Sequence, residues 1–297
     1  MFSVVVPTYN RAALLLQVLR SLAAQRTEAP FEIIVVDNGS TDGTRQVAAA
    51  FPGVRYVRET RPGSSAARNA GIAASRGEVI AFLDDDVVAE PDWLEALRCA
   101  YAALPDAWCI GGRVILRLPD SRPRWLDPPS ALLAAYLSEQ DLGEGTVPVV
   151  YPRALISANL SVRREALKQV GGFAQDLGRF GGLLLSGEDL ELCWRIQRAG
   201  GGVYYCGRAS VSHLIPPERL TKPFFRRRAY WQGRTEAVFS RRRGVAGQLL
   251  KDALKASWLY AAQDGRLAFD HELAAWKGLG YLVGRLHRNG TDVGRTR

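Results

Sequence analysis

Five apolar residues run directly into three carboxylates in the stretch Val79-Ile80-Ala81-Phe82-Leu83-Asp84-Asp85-Asp86. The continuous apolar run predicts a strand buried on both faces of a parallel sheet. Three adjacent negative charges repel one another, and a divalent cation bound by their oxygens would compensate them. Ligands bind at the carboxyl ends of strands in such sheets, so the triplet predicts a metal or substrate site. A solvated acidic turn is the alternative interpretation.

Strand and helix patterns alternate around this run. The predicted strands span residues 4–7, 31–36, 54–57 and 78–83. A first helix is predicted over 11–25, and a second follows the turn at 37–43 and runs to about 51. A third starts within 61–65 and ends near 76–77, and a fourth begins at Pro91. This alternation predicts an α/β fold with a mostly parallel central sheet flanked by helices.

The pattern is less regular after residue 106. Strands are predicted at 107–118, 155–162, 203–205 and 209–213, and helices at 163–170 and 188–199. Residues 119–150, rich in Pro, Asp, Ser and Gly, predict an insertion or a flexible loop that covers an acceptor site and holds one short helix at 131–137. Three further helices are predicted at 221–242, 245–263 and 270–288.

Composition sets limits on the class of protein. The 297 residues are 47% hydrophobic and 23% charged, as in an ordinary globular protein. The chain enters strand-like sequence at once and has no apolar run of about 18 residues, so we expect neither a signal peptide nor a membrane span. The four cysteines lack metal-ligand spacing and predict reduced thiols in a cytoplasmic protein. P-loop, GxGxxG and GxSxG motifs are absent from the sequence.

Positive charge is concentrated near the C-terminus. Residues 219–297 hold 17 Lys and Arg against 6 Asp and Glu, a net of +11, and residues 1–218 carry a net of −2. Aromatic residues lie among the arginines, for example Phe224, Phe225 and Trp231. A basic, aromatic, helical stretch is typical of contact with an anionic membrane surface. Packing on the rest of the chain is the alternative, and no nucleic-acid partner is expected, because no recognised binding module accompanies the charge.

Five motifs occur in a fixed order along the chain. They are VVVPTYNR (4–11), VVDNGS (35–40), ARNAG (67–71), FLDDD (82–86) and GEDLELCWR (187–195). In this order and spacing they resemble the family 2 glycosyltransferases, which have the GT-A fold, and the resemblance covers residues 1 to about 213. It implies a catalytic domain over 1–215, with a nucleotide-binding half (1–118) and an acceptor-binding half (119–215), followed by a helical extension over 216–297.

The resemblance also implies an activity, the inverting transfer of a sugar from a nucleotide-diphosphate donor to an acceptor hydroxyl. The expected donor is a UDP-sugar, with GDP- and dTDP-sugars left open. The expected acceptor is a glycan, a lipid-linked sugar or another hydroxyl compound. The protein is expected in the cytoplasm, with peripheral contact at the inner face of the membrane.

Asp37 is expected to accept a hydrogen bond from the nucleobase; an Asx turn that caps the next helix is the alternative, although Asp42 or Thr41 would serve there too. Ordinary turn packing remains open for Tyr9. Arg68 is assigned either to the diphosphate or to the sheet edge. The residues assigned to the donor nucleotide are Pro7, Thr8, Tyr9, Arg11, Asp37, Arg68, Asp84 and Asp85.

The DxD motif of the family corresponds to Asp84 and Asp86. The resemblance implies that Asp84 faces the ribose and that Asp86 binds Mn²⁺ or Mg²⁺, which neutralises the leaving diphosphate. His213 is expected to complete the metal shell, and a buried or carboxylate-paired histidine is the alternative. Asp85 is left facing either solvent or the donor sugar.

The acid pair at 188–189 is expected to serve the acceptor. Asp189 is the predicted general base, and Glu188 is a neighbour that contacts the acceptor. A helix N-terminus enriched in acids is the alternative interpretation. Two other functions remain open for the whole protein: a non-catalytic nucleotide-sugar-binding scaffold and a sugar nucleotidyltransferase. The sequence does not indicate an oligomeric state.

Overall fold

The computed structural model describes residues 1–243 and 267–286, so the helix predicted at 245–263 lies outside the described residues. The strands are β1 Phe2–Thr8, β2 Phe31–Asp37, β3 Val54–Arg58, β4 Val79–Leu83, β5 Val87–Ala89, β6 Ala107–Arg117, β7 Thr146–Pro148, β8 Asn159–Arg163 and β9 Gly202–Leu214. The α-helices are α1 Ala12–Ala23, α2 Thr44–Ala49, α3 Ser64–Ala74, α4 Trp93–Ala103, α5 Ala131–Tyr136, α6 Arg164–Val170, α7 Glu188–Arg198, α8 Lys222–Arg243 and α9 Leu267–Leu286.

The described strands form one mixed sheet in the order β3-β2-β1-β4-β8-β6-β9-β5, and β7 pairs with β9. The pairings among β1, β2, β3 and β4 are all parallel. Helices α1, α2 and α3 connect these strands, as parallel pairing requires. The α/β class with a central sheet flanked by helices is therefore confirmed.

The second half of the sheet is built differently. Strand β8 is antiparallel to both β4 and β6, and β9 runs parallel to β6. The segments predicted as separate strands at 203–205 and 209–213 form the single strand β9. Short strands β7 and β5 pair antiparallel with its two ends. Neither short strand was predicted, because three residues give too little alternation to reveal a strand.

Alternate residues of β1 face two different hydrophobic layers. Val4 and Val6 belong to a core that includes residues of α1 and α4. Val5 belongs to the opposite core, with residues of α3, α6 and α7. Helix α3 approaches β1 closely at Gly71, where an added Cβ would lie 2.2 Å from Val5 Cγ1. The parallel strands are thus fixed between helices on both faces, and their carboxyl ends are held in place.

The described chain divides into two compact units. The first comprises residues 1–118, 138–175 and 188–215, and the second comprises 119–137, 176–187 and 216–297. In the second unit, α8 and α9 pack closely, because a Cβ on Gly233 would lie 1.9 Å from Lys277 O. The rings of Trp125, Phe225 and Phe269 make edge-to-face contacts in the same unit. No helix in the described parts of the chain is long and apolar enough to span a membrane.

Candidate active site

The first unit gathers three of the five sequence motifs at the carboxyl ends of β1, β2 and β4. The register of the parallel pair puts Thr8, the last residue of β1, opposite Asp37, the last residue of β2. Strand β4 ends at Leu83, directly before the acidic triplet at 84–86. The end of each strand therefore delivers a polar segment to the same edge of the sheet, where α/β folds bind ligands.

Asp37 is buried and both of its carboxylate oxygens are engaged. Oδ1 accepts a hydrogen bond of 2.7 Å from Ser40 N, and Oδ2 accepts one from the hydroxyl of Tyr56. Asp42 Oδ1 accepts from the backbone N–H of Thr44, the first residue of α2, at 3.0 Å. Each carboxylate oxygen has a second lone pair, so Asp37 retains the capacity to accept a further bond from a ligand.

Tyr56 is a site residue that the sequence analysis missed. Burial, together with the hydrogen bond to Asp37, raises the pKa of the Tyr56 hydroxyl to about 12. Its register partner in β2 is Val35, two residues before Asp37, so the two side chains lie on the same face. The alignment of β3 on β2 is needed to see this contact, and no motif marks it.

The loops after β1 and β2 are bound to each other. Asn10 adopts a positive φ of 53° and donates its backbone N–H to Ser40 Oγ at 2.8 Å. Its side-chain Oδ1 accepts from Thr41 N, also at 2.8 Å. Tyr9 is 58% exposed beside this junction, whereas Thr8 is buried. The ring of Tyr9 is thus available to a ligand, which does not match the alternative of ordinary turn packing.

The acidic triplet is not a solvated turn. The side chain of Asp84 is 29% exposed, and Asp85 and Asp86 are almost fully buried. Arg11 Nη1 donates to Asp85 Oδ1 at 2.8 Å and to Asp86 Oδ2 at 2.9 Å. Burial raises the pKa of the Asp85 carboxyl to about 6; Arg11 opposes this shift and Asp86 adds to it. The burial of Asp85 argues against the solvent-facing orientation that the sequence left open.

Strand β9 brings His213 to the triplet. His213 pairs with Val87 of β5, and the backbone N–H of Leu214 donates to Asp86 O at 2.8 Å. His213 is 3% exposed, and its Nε2 lies 3.3 Å from Asp86 Oδ1. The predicted metal ligands are therefore neighbours, and the same contact also fits the carboxylate-paired histidine that was the alternative.

The donor atoms of this cluster suit a hard or borderline divalent cation. Asp86 Oδ1 and His213 Nε2, 3.3 Å apart, are close enough to share one ion, and oxygen and imidazole ligands suit Mn²⁺. Within the described residues, no group of three or more His, Cys, Asp or Glu side chains forms a ready ion site. An ion held here would need phosphate or water oxygens to complete its shell, as Mg²⁺ commonly does.

Arg68 of α3 joins the acidic triplet to the acid pair at 188–189. Its Nη2 donates to Asp84 Oδ1 at 2.7 Å, and its Nη1 donates to Glu188 Oε1 at 2.9 Å. Burial and the neighbouring Asp189 raise the pKa of the Glu188 carboxyl, and Arg68 opposes this shift. Within the described residues, the buried Oε2 of Glu188 has no hydrogen-bond partner. Glu188 can therefore accept one further hydrogen bond.

Asp189 lies in the first turn of α7 and is partly exposed. Its Oδ2 accepts a hydrogen bond of 3.0 Å from Ser157 N, and its Oδ1 accepts one of 2.8 Å from Leu190 N. These backbone donors fix the orientation of the carboxylate. The geometry is that of a carboxylate that solvent or a ligand hydroxyl can reach.

Comparison with known proteins identifies the family of this chain. The Glycosyl transferase family 2 profile matches residues 3–154. A glucosyl-dolichyl phosphate glucuronosyltransferase from Haloferax volcanii is 30% identical over 243 residues, which are 80% of this chain and 76% of that protein. A pre-mycofactocin glycosyltransferase from Mycobacterium tuberculosis is 31% identical over 218 residues, which are 71% of this chain but only 42% of that protein.

Among solved structures, a mannosyltransferase from Pyrobaculum calidifontis in complex with GDP-Man and Mn²⁺ superposes with a TM-score of 0.62 and 21% identity. The match covers 96% of this chain and 87% of that one, and it shows a shared GT-A fold. The chain belongs to glycosyl transferase family 2. The prediction of a glycosyltransferase with the GT-A fold is thereby confirmed.

Proposed function

We propose that this protein transfers a sugar from a nucleoside-diphosphate donor, in the first instance a UDP-sugar, to an acceptor hydroxyl with inversion at the anomeric carbon. The observation that carries the proposal is the shared guanidinium of Arg68, which binds Asp84 of the donor motif and Glu188 of the acid pair. A donor-side carboxylate and Glu188, the neighbour of the proposed base Asp189, therefore lie on either side of one buried cation. A transferase needs this juxtaposition, because the hydroxyl must attack the carbon from which the diphosphate departs.

Donor recognition is assigned to the strand ends. Asp37 accepts the nucleobase N–H through a free lone pair, the exposed ring of Tyr9 stacks on the base or ribose, and Pro7, Thr8 and Arg11 line the same edge. Asp84 faces the ribose. The mannosyltransferase neighbour contains GDP-Man, which keeps a GDP-sugar as the second donor to be tested.

The ion is assigned to Asp86 and His213, whose facing atoms are 3.3 Å apart. When bound, Mn²⁺ or Mg²⁺ draws off the negative charge that develops on the leaving diphosphate. The neighbouring mannosyltransferase contains Mn²⁺, which supports a divalent cation without deciding between the two metals. Asp85 is assigned to the donor side through its bond to Arg11.

Asp189 is the proposed general base. Its carboxylate takes the proton of the acceptor hydroxyl as that oxygen forms a bond to the anomeric carbon, and the bond from this carbon to the diphosphate oxygen breaks. A single displacement of this kind inverts the anomeric configuration. Glu188 Oε2, which has no partner within the described residues, accepts a hydrogen bond from the acceptor.

The acceptor is proposed to be a glycan, a lipid-linked sugar or another hydroxyl compound. The Haloferax relative is named for a dolichyl phosphate-linked substrate, and the mycobacterial relative for pre-mycofactocin. Residues 119–215 are the proposed acceptor-binding half, and 1–118 the nucleotide-binding half.

Incubation of the protein with UDP-, GDP- and dTDP-sugars, Mn²⁺ and a panel of hydroxyl acceptors tests the function. Release of the nucleoside diphosphate with a glycosylated product of inverted configuration is expected. Release of inorganic diphosphate would instead support a nucleotidyltransferase. Tight donor binding without release of either product would support the scaffold function.

We also propose that the basic segment 219–297 contacts an anionic membrane surface at the cytoplasmic face. Helix α9 exposes an apolar stripe at helical spacing that consists of Trp276, Leu279, Leu282 and Leu286. Such a stripe beside excess positive charge is typical of a helix that lies in a lipid headgroup layer. Co-sedimentation with vesicles is expected only when anionic lipid is present, and Leu279→Glu should reduce it. Equal recovery with neutral vesicles would contradict the proposal.

A further inference from the structure

The guanidinium of Arg68 bonds to both carboxylate motifs, through Asp84 in one and Glu188 in the other. We infer that Arg68 is a positioning residue, which holds Asp84 and the first turn of α7 at a fixed separation and thereby sets the donor against the base Asp189. The inference deepens the proposed function and rests on the roles proposed for Asp84 and Asp189. It assigns Arg68 a role different from the two that the sequence left open.

Arg68 is held rigidly enough for this role. Its side chain is 4% exposed, and each Nη atom is committed to a different carboxylate, at 2.7 and 2.9 Å. The guanidinium also lies over the ring of Phe173, with Cζ 5.5 Å from the ring centroid. A planar cation that is stacked on one face and bonded along two edges has a single orientation.

The neighbouring residue fixes the ring on which Arg68 rests. Asn69 Nδ2 donates to Phe173 O at 2.8 Å, and Asn69 Oδ1 accepts from Phe173 N at 2.8 Å. A Cβ on Gly172 would lie 2.3 Å from Asn69 Oδ1, so only glycine allows this approach. Two adjacent residues of the ARNAG motif thus place the aromatic platform and the cation together.

The charge of Arg68 is balanced by carboxylates of both motifs, as a bridge between them requires. Burial by itself would lower the pKa of Arg68, and the carboxylates of Asp84 and Glu188 raise it, with a further contribution from Asp189. The three acids would repel one another without this cation. Lysine keeps the charge but presents a point charge, which cannot hold two carboxylates in one plane.

The observed contacts do not favour the two earlier assignments. A diphosphate contact needs exposed donors, but both Nη atoms are bonded to carboxylates, and Nε, which has no partner within the described residues, is buried. A role at the sheet edge would show bonds to strand backbone, as Arg163 does when its Nε donates to Ala107 O at 2.7 Å. The partners of Arg68 are instead the side chains of two sequence motifs.

Arg68→Lys is the test, with Arg163→Lys as its matched control. Arg163 also stacks on an aromatic ring, that of Tyr101, at 4.9 Å, but it bonds only to backbone oxygens in its described hydrogen bonds. For Arg68→Lys we expect kcat to fall by about 100-fold while the Kd for the donor nucleotide changes by less than about 3-fold. Arg163→Lys should leave both values unchanged.

Hydrogen–deuterium exchange gives a second readout that does not depend on activity. Exchange should accelerate at residues 84–86 and 188–191 in Arg68→Lys, and should be unchanged there in Arg163→Lys. Glu188→Ala removes the other end of the bridge, and combining it with Arg68→Lys should cost little more kcat than the larger single effect.

The outcomes separate the possible roles. A loss of nucleotide affinity that matches the loss of kcat would overturn the inference in favour of a diphosphate contact. Unchanged exchange at 188–191 would overturn it whether or not transfer is detected. A wild-type protein that turns over no donor in the panel would refute the proposed function alone, because the exchange measurement still decides the role of Arg68.

Discussion

The hydroxyl of Tyr56 donates to Asp37 Oδ2, and the opposite oxygen of the same carboxylate is bound by Ser40 N at 2.7 Å. The two bonds fix the plane of the carboxylate without a ligand, so the proposed nucleobase would meet a pre-oriented acceptor. A pre-oriented acceptor binds its ligand with a smaller loss of side-chain entropy. Under the proposed function, Tyr56 orients the carboxylate that receives the nucleobase.

Tyr56→Phe should weaken nucleotide binding by about 3- to 10-fold, because one bond that orients Asp37 is lost, typically worth about 1 kcal/mol. Isothermal titration with UDP, GDP and dTDP measures the effect for each base. Tyr204 provides a matched control, since its hydroxyl donates to Asp106 Oδ2 at 2.7 Å in the same unit. Equal effects of Tyr204→Phe and Tyr56→Phe would contradict a specific role in donor binding.

Asp189→Asn should reduce transfer by at least about 100-fold, because the amide cannot take the proton of the acceptor hydroxyl. The amide oxygen can still accept from Ser157 N, so the fold and the donor affinity should be retained. Initial rates and nucleotide titration measure the two quantities. Near-normal turnover of Asp189→Asn would show that Asp189 is not the base. Glu165→Gln, at an exposed position, is the control and should leave transfer unchanged.

Asp86→Ala and His213→Ala should weaken Mn²⁺ binding in the presence of nucleotide, because each removes one of two facing donor atoms. Electron paramagnetic resonance of free Mn²⁺ reports the affinity, and a chelator should abolish transfer. His271→Ala, on α9 of the second unit, is the control and should leave the affinity unchanged. Full activity in chelator would count against any metal role.

Gly71→Ala should destabilise the first unit by about 1–3 kcal/mol, because the new methyl would lie 2.2 Å from Val5 Cγ1 in a closely packed core. Urea unfolding measures the change in free energy. Gly145 is the matched control, since no atom lies within 4 Å of a Cβ added there. A Gly71→Ala protein as stable as Gly145→Ala would show that α3 can move away from β1.

The parallel half of the sheet could be predicted from the sequence, and the other half only in part. Strands β1 to β4 are continuous apolar runs with intervening helices, so their order and direction follow from simple rules. The antiparallel position of β8 between β4 and β6 depends on pairing between distant segments. Nothing local in the segment predicted at 155–162 indicates its partners.

In the candidate site, too, contacts between distant segments could not be predicted from the sequence. The motifs located Asp37, the triplet and the acid pair, because each carries charge at a predicted element end. The contacts of Arg11 with Asp85 and of Tyr56 with Asp37 were not predicted. Both join side chains from different loops or strands, and their geometry is set by strand register and loop packing rather than by residue type.

The hydrogen bonds of Asn10 with Ser40 and Thr41 join the loops after β1 and β2, so neither loop can change its conformation without the other. Ala12 N also donates to Asp42 Oδ2 at 3.0 Å, so the start of α1 is joined to the loop after β2. A change of donor preference engineered by exchanging either loop alone would break this junction. Exchange of both segments as a pair, with Asn10 retained at its positive φ, is the route that preserves it.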